Sequence, residues 1–294
     1  MFVDAIERAS AFTRAIHSIS RNYGSRVIQS GAATMFFINS NGWALTCRHV
    51  ANQLKAADQL AAKRKAFMDE LVALTGTKKK KQIKRELEKK YNYKKSTTYE
   101  FYSTFVNCIE GNLNFEIILH SKLDVALIHF NDFSHLLCES FPIFAKNGSD
   151  LKQGKYLCRL GFPFAEFTNF AYDSNEDKIH WTTTGRKDTP RFPIEGMVTR
   201  HLIDDKKNII GFELSTPGLR GHSGGPAFDT EGKVWGMQAS TAHLDLNFDV
   251  DQEVIRKGLK KKVSDRAFLH VGRCIHINIL KEFMRQHKVD FQEE

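Results

Sequence analysis

Six prolines in 294 residues leave no Pro-rich spacer, and no Gly/Ser-rich linker or fixed-period repeat divides the chain. One compact unit spanning 1–294, with a single insertion, is the simplest reading. No uninterrupted apolar run approaches the roughly 18 residues that a membrane helix needs, so no membrane partner is expected. Asp4, Glu7, Arg8 and Arg14 interrupt what would be the apolar stretch of a secretory leader, which predicts a cytoplasmic protein. Cysteine is also sparse: Cys47, Cys108, Cys138, Cys158 and Cys274 are odd in number, widely spaced and without a CxxC pair. That pattern argues against a disulfide framework and against a zinc site, and predicts small buried hydrophobes. No cofactor is expected either. Gly148 and Gly154-Lys155 superficially resemble a P-loop, but the spacing is wrong and Tyr156 stands where Ser or Thr is needed.

What is present is patterned apolar sequence and a localised charge. Val3, Ile6, Ala9, Phe12, Ile16 and Ile19 fall at three- and four-residue steps, predicting an amphipathic N-terminal helix within 1–22. Asn41-Gly42 between two β-rich runs predicts a hairpin. Short strands are expected at EIILH, VALIHF, KYLCRLGF, GMVTRHLI, IIGFEL, PAFD and KVWGMQAS, a spacing that suggests an antiparallel sandwich or barrel. The stretch 277–289 reads as a closing helix. Residues 52–95 differ: Leu54, Leu60, Phe67, Leu71 and Leu74, then Ile83, Leu87 and Tyr91, repeat at helical steps around a break at Gly76-Thr77. Two antiparallel helices packed by these stripes would form an inserted hairpin. From Lys78 to Lys95 this insertion holds ten Lys/Arg against two Glu, so much of the net charge of +9 is concentrated there. A solvated helix face accounts for such a run. So does a docking arm for an activating protein partner or for nucleic acid, although no nucleic-acid-binding motif accompanies it.

The chemistry concentrates in three places. In Gly221-His222-Ser223-Gly224-Gly225-Pro226 the glycines permit tight turning around a serine hydroxyl, and the backbone N–H groups of Gly221 and Ser223 could hold an oxyanion. A serine hydroxyl needs a base to become nucleophilic. His49, in Thr46-Cys47-Arg48-His49-Val50, follows a β-run and could present an imidazole at a strand end. The base needs a carboxylate on its far nitrogen. Asp124 opens Asp124-Val125-Ala126-Leu127-Ile128, where burial beside an apolar strand calls for a polar partner. His222 adjoins the serine, but neighbours on a turn point apart. His129 reads as structural, and Cys47 lacks a glycine turn and reads as packed.

These three motifs resemble the TxxHV, DxALI and GxSGGP motifs of the chymotrypsin/trypsin-like serine peptidases, in the same order. Among them the likeness is to single-domain HtrA-like bacterial members without a PDZ domain. The resemblance covers about 28–50 and 96–290. It implies a mainly β fold of two six-stranded antiparallel β-barrels with a C-terminal helix at 277–289; the N-terminal helix and the inserted helical hairpin at 52–95 lie outside that common core. It implies a polypeptide substrate and a catalytic triad of His49, Asp124 and Ser223 in the cleft between the barrels. Intracellular single-domain members also resemble effectors of bacterial antiviral or cell-death systems.

Departures from the family pattern bear on control and specificity. Zymogen-activated trypsins place an Asp just before the nucleophile to pair with a newly cut N-terminus; here His222 cannot hold that amine, which implies control by a partner or by loop ordering. Six residues before the nucleophile, where trypsin carries its specificity Asp, stands Pro217. Thr241 replaces a pocket-wall glycine. Pro217, Gln238, Ser240, Thr241 and His243 are the expected substrate-binding residues. A small or medium uncharged P1 residue is expected, subject to what Gln238 and His243 contribute. The alternative to a peptidase is a catalytically latent module that keeps the fold and docks a partner through the basic hairpin.

Overall fold

The computed structural model describes residues 1–74, 80–256 and 258–294. The chain opens with helix α1 (Val3–Phe12), which buries Ala5, Ala9 and Phe12. The helical pattern read through Ile19 stops there: Thr13–Asn22 is a strand, β1. It lies between β2 (Gln29–Phe37) and a later strand, hydrogen-bonded to both. Thr13, Ala15, His17, Ile19 and Arg21 are all buried, the period of two that a strand in mid-sheet imposes. Ile19 fits either period, Ile16 is buried on the strand's other face, and the ladder on both edges decides between helix and strand.

Gly42, at φ +81°, turns β2 into β3 (Trp43–Thr46), as the Asn-Gly pair predicts. Helix α2 (Arg48–Leu74) follows directly, and α3 (Lys80–Lys90) comes next. The helix therefore begins before residue 52, and His49 rides on its first turn rather than at a strand end. The predicted break at Gly76-Thr77, with Lys78 and Lys79 of the basic run, lies outside the described residues. The two helices pack through Phe67, Ile83 and Leu87, joined by Tyr93 and Tyr99. Strands β4 (Thr98–Phe105), β5 (Ile109–Leu119) and β6 (Ala126–Leu136) complete a six-stranded sheet in the order β4-β1-β2-β3-β6-β5. Its edge strands approach through side chains: Phe105 meets Phe115 edge-on, ring centroids 5.1 Å apart.

The second sheet contains β7 (Ile143–Phe144) and β8 (Tyr156–Gly161). A separate two-stranded ribbon, β9 (Phe170–Asp173) with β10 (Lys178–Trp181), precedes β11 (Phe192–Ile203), β12 (Ile209–Leu214) and β13 (Pro226–Phe228). Then come two long strands, β14 (Val234–Arg256) and β15 (Leu259–His276). The order β13-β8-β11-β12-β15-β14 closes on itself, because β13 also pairs with β14. The result is a six-stranded barrel, and with the first sheet it gives the mainly β, chymotrypsin-like architecture. Every strand expected from the sequence is present. Helix α4 (Ile277–Gln286) ends three residues short of the predicted 289, where Lys288 takes φ +56°. Beyond it, β16 (Gln292–Glu293) pairs with β7.

A buried charge network ties the insertion to the first sheet. Arg21 and Glu100, both almost fully buried, form an ion pair; Arg21 Nη1 also reaches Asp177 at 2.9 Å, and Arg64 of α2 reaches Glu100 at 3.4 Å. Removing one partner strands the other's charge in low dielectric. We expect Arg21→Met to lower the unfolding free energy in denaturant by about 3–5 kcal/mol. A loss under ~1 kcal/mol would mean that Arg64 alone satisfies Glu100.

Candidate active site

The serine turn is built by glycines. Gly221 (φ +98°) and Gly224 (φ +89°) sit in the left-handed region, and a Cβ on them would lie 2.3 Å from Phe162 O and 2.1 Å from Thr34 O. Only glycine serves both needs. Thr34 of β2 clamps the turn from the first sheet: its N–H donates to Ser223 O (3.0 Å) and its hydroxyl to Gly221 O (2.6 Å). Gly224 N–H donates to Gln238 O at 2.9 Å, and Gly225 N–H to His222 O at 2.8 Å. Among the described residues, no group accepts a hydrogen bond from the N–H of Gly221 or of Ser223.

His222 braces this turn from beneath. It is fully buried; Nδ1 accepts from Leu219 N–H (3.2 Å) and Nε2 donates to Phe192 O (2.8 Å). Burial pushes its pKa down to about 4, so the ring is neutral at pH 7 with both nitrogens occupied. It is a positioning residue, with no nitrogen free to act as a base.

His49 and Asp124 are joined by two contacts. The His49 ring Nδ1 lies 2.7 Å from Asp124 Oδ2, and the His49 backbone N–H donates to Asp124 Oδ1 at 2.9 Å. Asp124 precedes β6, and β6 pairs with β3, the strand that leads into His49. Burial would raise the Asp124 carboxyl, but hydrogen bonds from the His49 ring and backbone and from the Arg48 backbone outweigh it and hold the carboxyl below its usual range. Cys47 connects this pair to the serine turn. Its Sγ donates to Gln238 O at 3.3 Å, the carbonyl that also binds Gly224, and it lies within 4.8 Å of donor atoms on His49 and Asp124. Burial pushes that thiol well up, so it stays protonated and makes a poor metal ligand and a poor nucleophile. The Ser223 hydroxyl points to Ala239 O at 3.4 Å, and among the described residues no hydrogen bond joins it to His49.

Pro217, Gln238, Ser240, Thr241 and His243 line one cavity of about 440 Å³ together with Ser223. Thr241 Oγ1 donates to Gly218 O at 2.6 Å and bridges two of its walls. Arg220 and His270 of the same cavity escaped the sequence reading. A larger cleft of about 880 Å³, lined by His120, Lys122, Asp204 and His276 among others, contains none of His49, Asp124 or Ser223. His129 stacks on Trp43, ring centroids 4.0 Å apart, in keeping with a packing role. All five cysteines are buried and free.

Residues 33–237 match the family described as trypsin-like peptidase domain, and the chain belongs to that family. No curated protein matches the sequence. Among solved structures, the chain is similar to the HtrA-type protease AlgW with a decapeptide, at TM-score 0.50 and 10% identity over 97% of this chain and 66% of that one. A variant of AlgW with a tripeptide gives TM-score 0.45 and 10% identity, covering 97% and 62%. The chain thus spans slightly less than two thirds of these proteins, and the likeness is one of fold. Among the described residues, no helix is long and apolar enough to cross a membrane.

Proposed function

We propose that the chain is a serine endopeptidase that works through an acyl-enzyme on Ser223. Ser223 Oγ attacks a peptide carbonyl and His49 takes its proton. Asp124 holds the imidazole in the tautomer that can accept, and the N–H groups of Gly221 and Ser223 stabilise the oxyanion. His49 then returns the proton to the leaving amine, and water hydrolyses the ester by the reverse sequence. The observation that carries this reading is the pairing of His49 with Asp124 beside a serine turn whose Gly221 and Ser223 N–H groups are unengaged among the described residues.

Fluorophosphonate labelling tests it, on the purified chain and on the chain in phage-challenged cells. Covalent labelling in at least one of these, lost in Ser223→Ala, is the expected result, and labelling that persists in that variant removes the assignment. A second reading has its own observation: the hydroxyl of Ser223 is turned to Ala239 O rather than bonded to His49. Apo sites often tighten only with substrate, but a latent enzyme released by a partner docked on 52–95 has the same geometry. We include that control in the proposal, with a cytoplasmic setting and a role in bacterial defence. In cells it predicts Ser223 labelling only after phage challenge, and equal labelling in unchallenged cells removes the switch.

A further inference from the structure

The cavity beside Ser223 is lined by cationic and titratable bases and, among the described residues, by no carboxylate. Arg220 and His243 stand in its wall. His270 is the cross-strand partner of His243, with the two Nδ1 atoms 2.5 Å apart. One of these nitrogens must donate and the other accept, so that proton lies between the rings and each imidazole has only its Nε2 outside the bond.

Directly behind the wall lies Arg159, in the middle of β8 and 0% exposed. Its guanidinium donates to Gln238 Oε1 (2.7 Å), Thr216 Oγ1 (2.6 Å), Thr216 O (3.1 Å) and Pro217 O (3.2 Å). All four acceptors are neutral, and Gln238 and Pro217 are themselves wall residues. Among the described residues its Nε has no hydrogen-bond partner and no carboxylate forms an ion pair with the guanidinium. Nearby Glu213 is already held by Arg200 and Arg273. Room has been left for the guanidinium: a Cβ on Gly272 would lie 2.0 Å from Nη1. Burial lowers the proton affinity of Arg159, yet a guanidinium remains charged.

An unpaired buried cation destabilises a fold unless something supplies the opposite charge. Gln238 connects this one to the cavity. Its Oε1 accepts from Arg159, which fixes the amide so that Nε2 is the outward donor. Nε2 bonds Ser240 O at 2.6 Å, and a Cβ on Gly218 would lie 2.4 Å from it, so the amide lies flush with the cavity wall.

We infer that the cavity beside Ser223 is a specificity pocket for an acidic P1 side chain, glutamate or aspartate, whose carboxylate answers the charge of Arg159 through the Gln238 amide and meets His243 and His270 at the rim. This deepens the peptidase reading and rests on it for the term P1. It replaces the sequence expectation of an uncharged P1 residue, which was drawn without Arg159. A unit charge one hydrogen-bonded residue away, in partly screened surroundings, favours a carboxylate over its isosteric amide by about tenfold.

Two measurements separate the pocket from the chemistry. On the active chain, internally quenched peptides identical except at P1 should give kcat/KM about tenfold or more higher for Glu than for Gln. A ratio near one, or selection of Leu or Arg, overturns the inference and leaves the peptidase reading intact. On the full-length Ser223→Ala chain, calorimetry should show product peptides ending in Glu binding about tenfold tighter than those ending in Gln. Equal binding overturns the inference whatever the labelling shows; Glu-selective binding without any Ser223-dependent labelling, in challenged cells as well as on the purified chain, would sink the peptidase reading instead. Arg159→Met should bring the Glu/Gln ratio close to one, and Gln238→Leu does the same by cutting the relay if the first variant fails to fold. If His243→Asn with His270→Asn abolishes the selectivity while Arg159→Met keeps it, the buried cation is not its source.

Discussion

Replacing Ser223 by alanine should lower turnover of a peptide substrate by about a millionfold, the size of effect that triad deletions have in subtilisin. The loss is that large because no second nucleophile is poised at the site. The Cys47 thiol is buried, protonated and directed at Gln238 O, and both nitrogens of His222 are occupied by Leu219 and Phe192. The substitution should leave the turn in place. What Ser223 supplies to the architecture is its carbonyl, which accepts from Thr34, while its hydroxyl makes only a 3.4 Å contact with Ala239 O. The positive φ angles belong to Gly221 and Gly224, which the variant retains. Unfolding free energy should therefore change by no more than about 0.5 kcal/mol, while single-turnover cleavage falls to the background rate. Residual turnover above a hundredth of wild type, on the form of the chain that labels, would place the nucleophile elsewhere.

How much of this was legible in the sequence depends on how local each feature is. The Ser223 turn is encoded by its neighbours: no residue but glycine fits at 221 and 224, so the pattern Gly-x-Ser-Gly-Gly carries its own geometry. Asp124 was legible as an acid at the border of an apolar strand, and it lies where that argument requires, bonded to an imidazole. Non-local features were harder. Residues 13–20 satisfy helical spacing, and only hydrogen bonding to β2 and β4 makes them a strand. The outer parts of β14 and β15 pair from Asp249 to Leu259 and beyond, yet most of their side chains are exposed. Leu244, Leu246, Phe248, Val250 and Val254 do alternate with Asp245, Asn247, Asp249, Asp251 and Glu253, a strand period of two that the expected strands did not include; its apolar face stays largely exposed and the ribbon is held by its backbone ladder. Arg159 was visible as a single charge inside the apolar run YLCRLGF. Its meaning depends on Thr216, Pro217 and Gln238, which the fold brings to it from up to 79 residues away. His270 joins the cavity in the same way, through its pairing with His243, while Arg220 lies on the turn three residues before Ser223.

If His49, Asp124 and Ser223 act as proposed, Asp124→Asn should lower kcat by about ten-thousandfold, the size of effect that the same substitution has in the chymotrypsin-type triad. The argument is one of proton direction. As a carboxylate, Asp124 accepts from His49 Nδ1–H across 2.7 Å, which leaves Nε2 with a free lone pair for the serine proton. An asparagine amide can turn its NH2 toward Nδ1 and become the donor. The imidazole then carries its own proton on Nε2 and cannot take another from Ser223. The second contact survives, because the asparagine carbonyl can still accept from the His49 backbone N–H now held at 2.9 Å. Folding should therefore be nearly unaffected, which separates this variant from Asp124→Ala, where both contacts vanish. The wild-type pH dependence follows in sign. Burial raises the Asp124 carboxyl, the His49 and Arg48 hydrogen bonds lower it further, and the net shift is downward. Its contribution to stability is thus fully present above the ordinary carboxylate pKa and is lost as the pH falls through the depressed value. In the neutral range Asp124 is ionised and the orienting bond is intact, so the deficit of the Asn variant should not be restored by moderate changes of pH. Parallel measurement of kcat and of fluorophosphonate labelling rate from pH 6 to 9 checks this. A variant that keeps more than a tenth of wild-type kcat would show that His49 finds its orientation from its place on the first turn of α2, without the carboxylate.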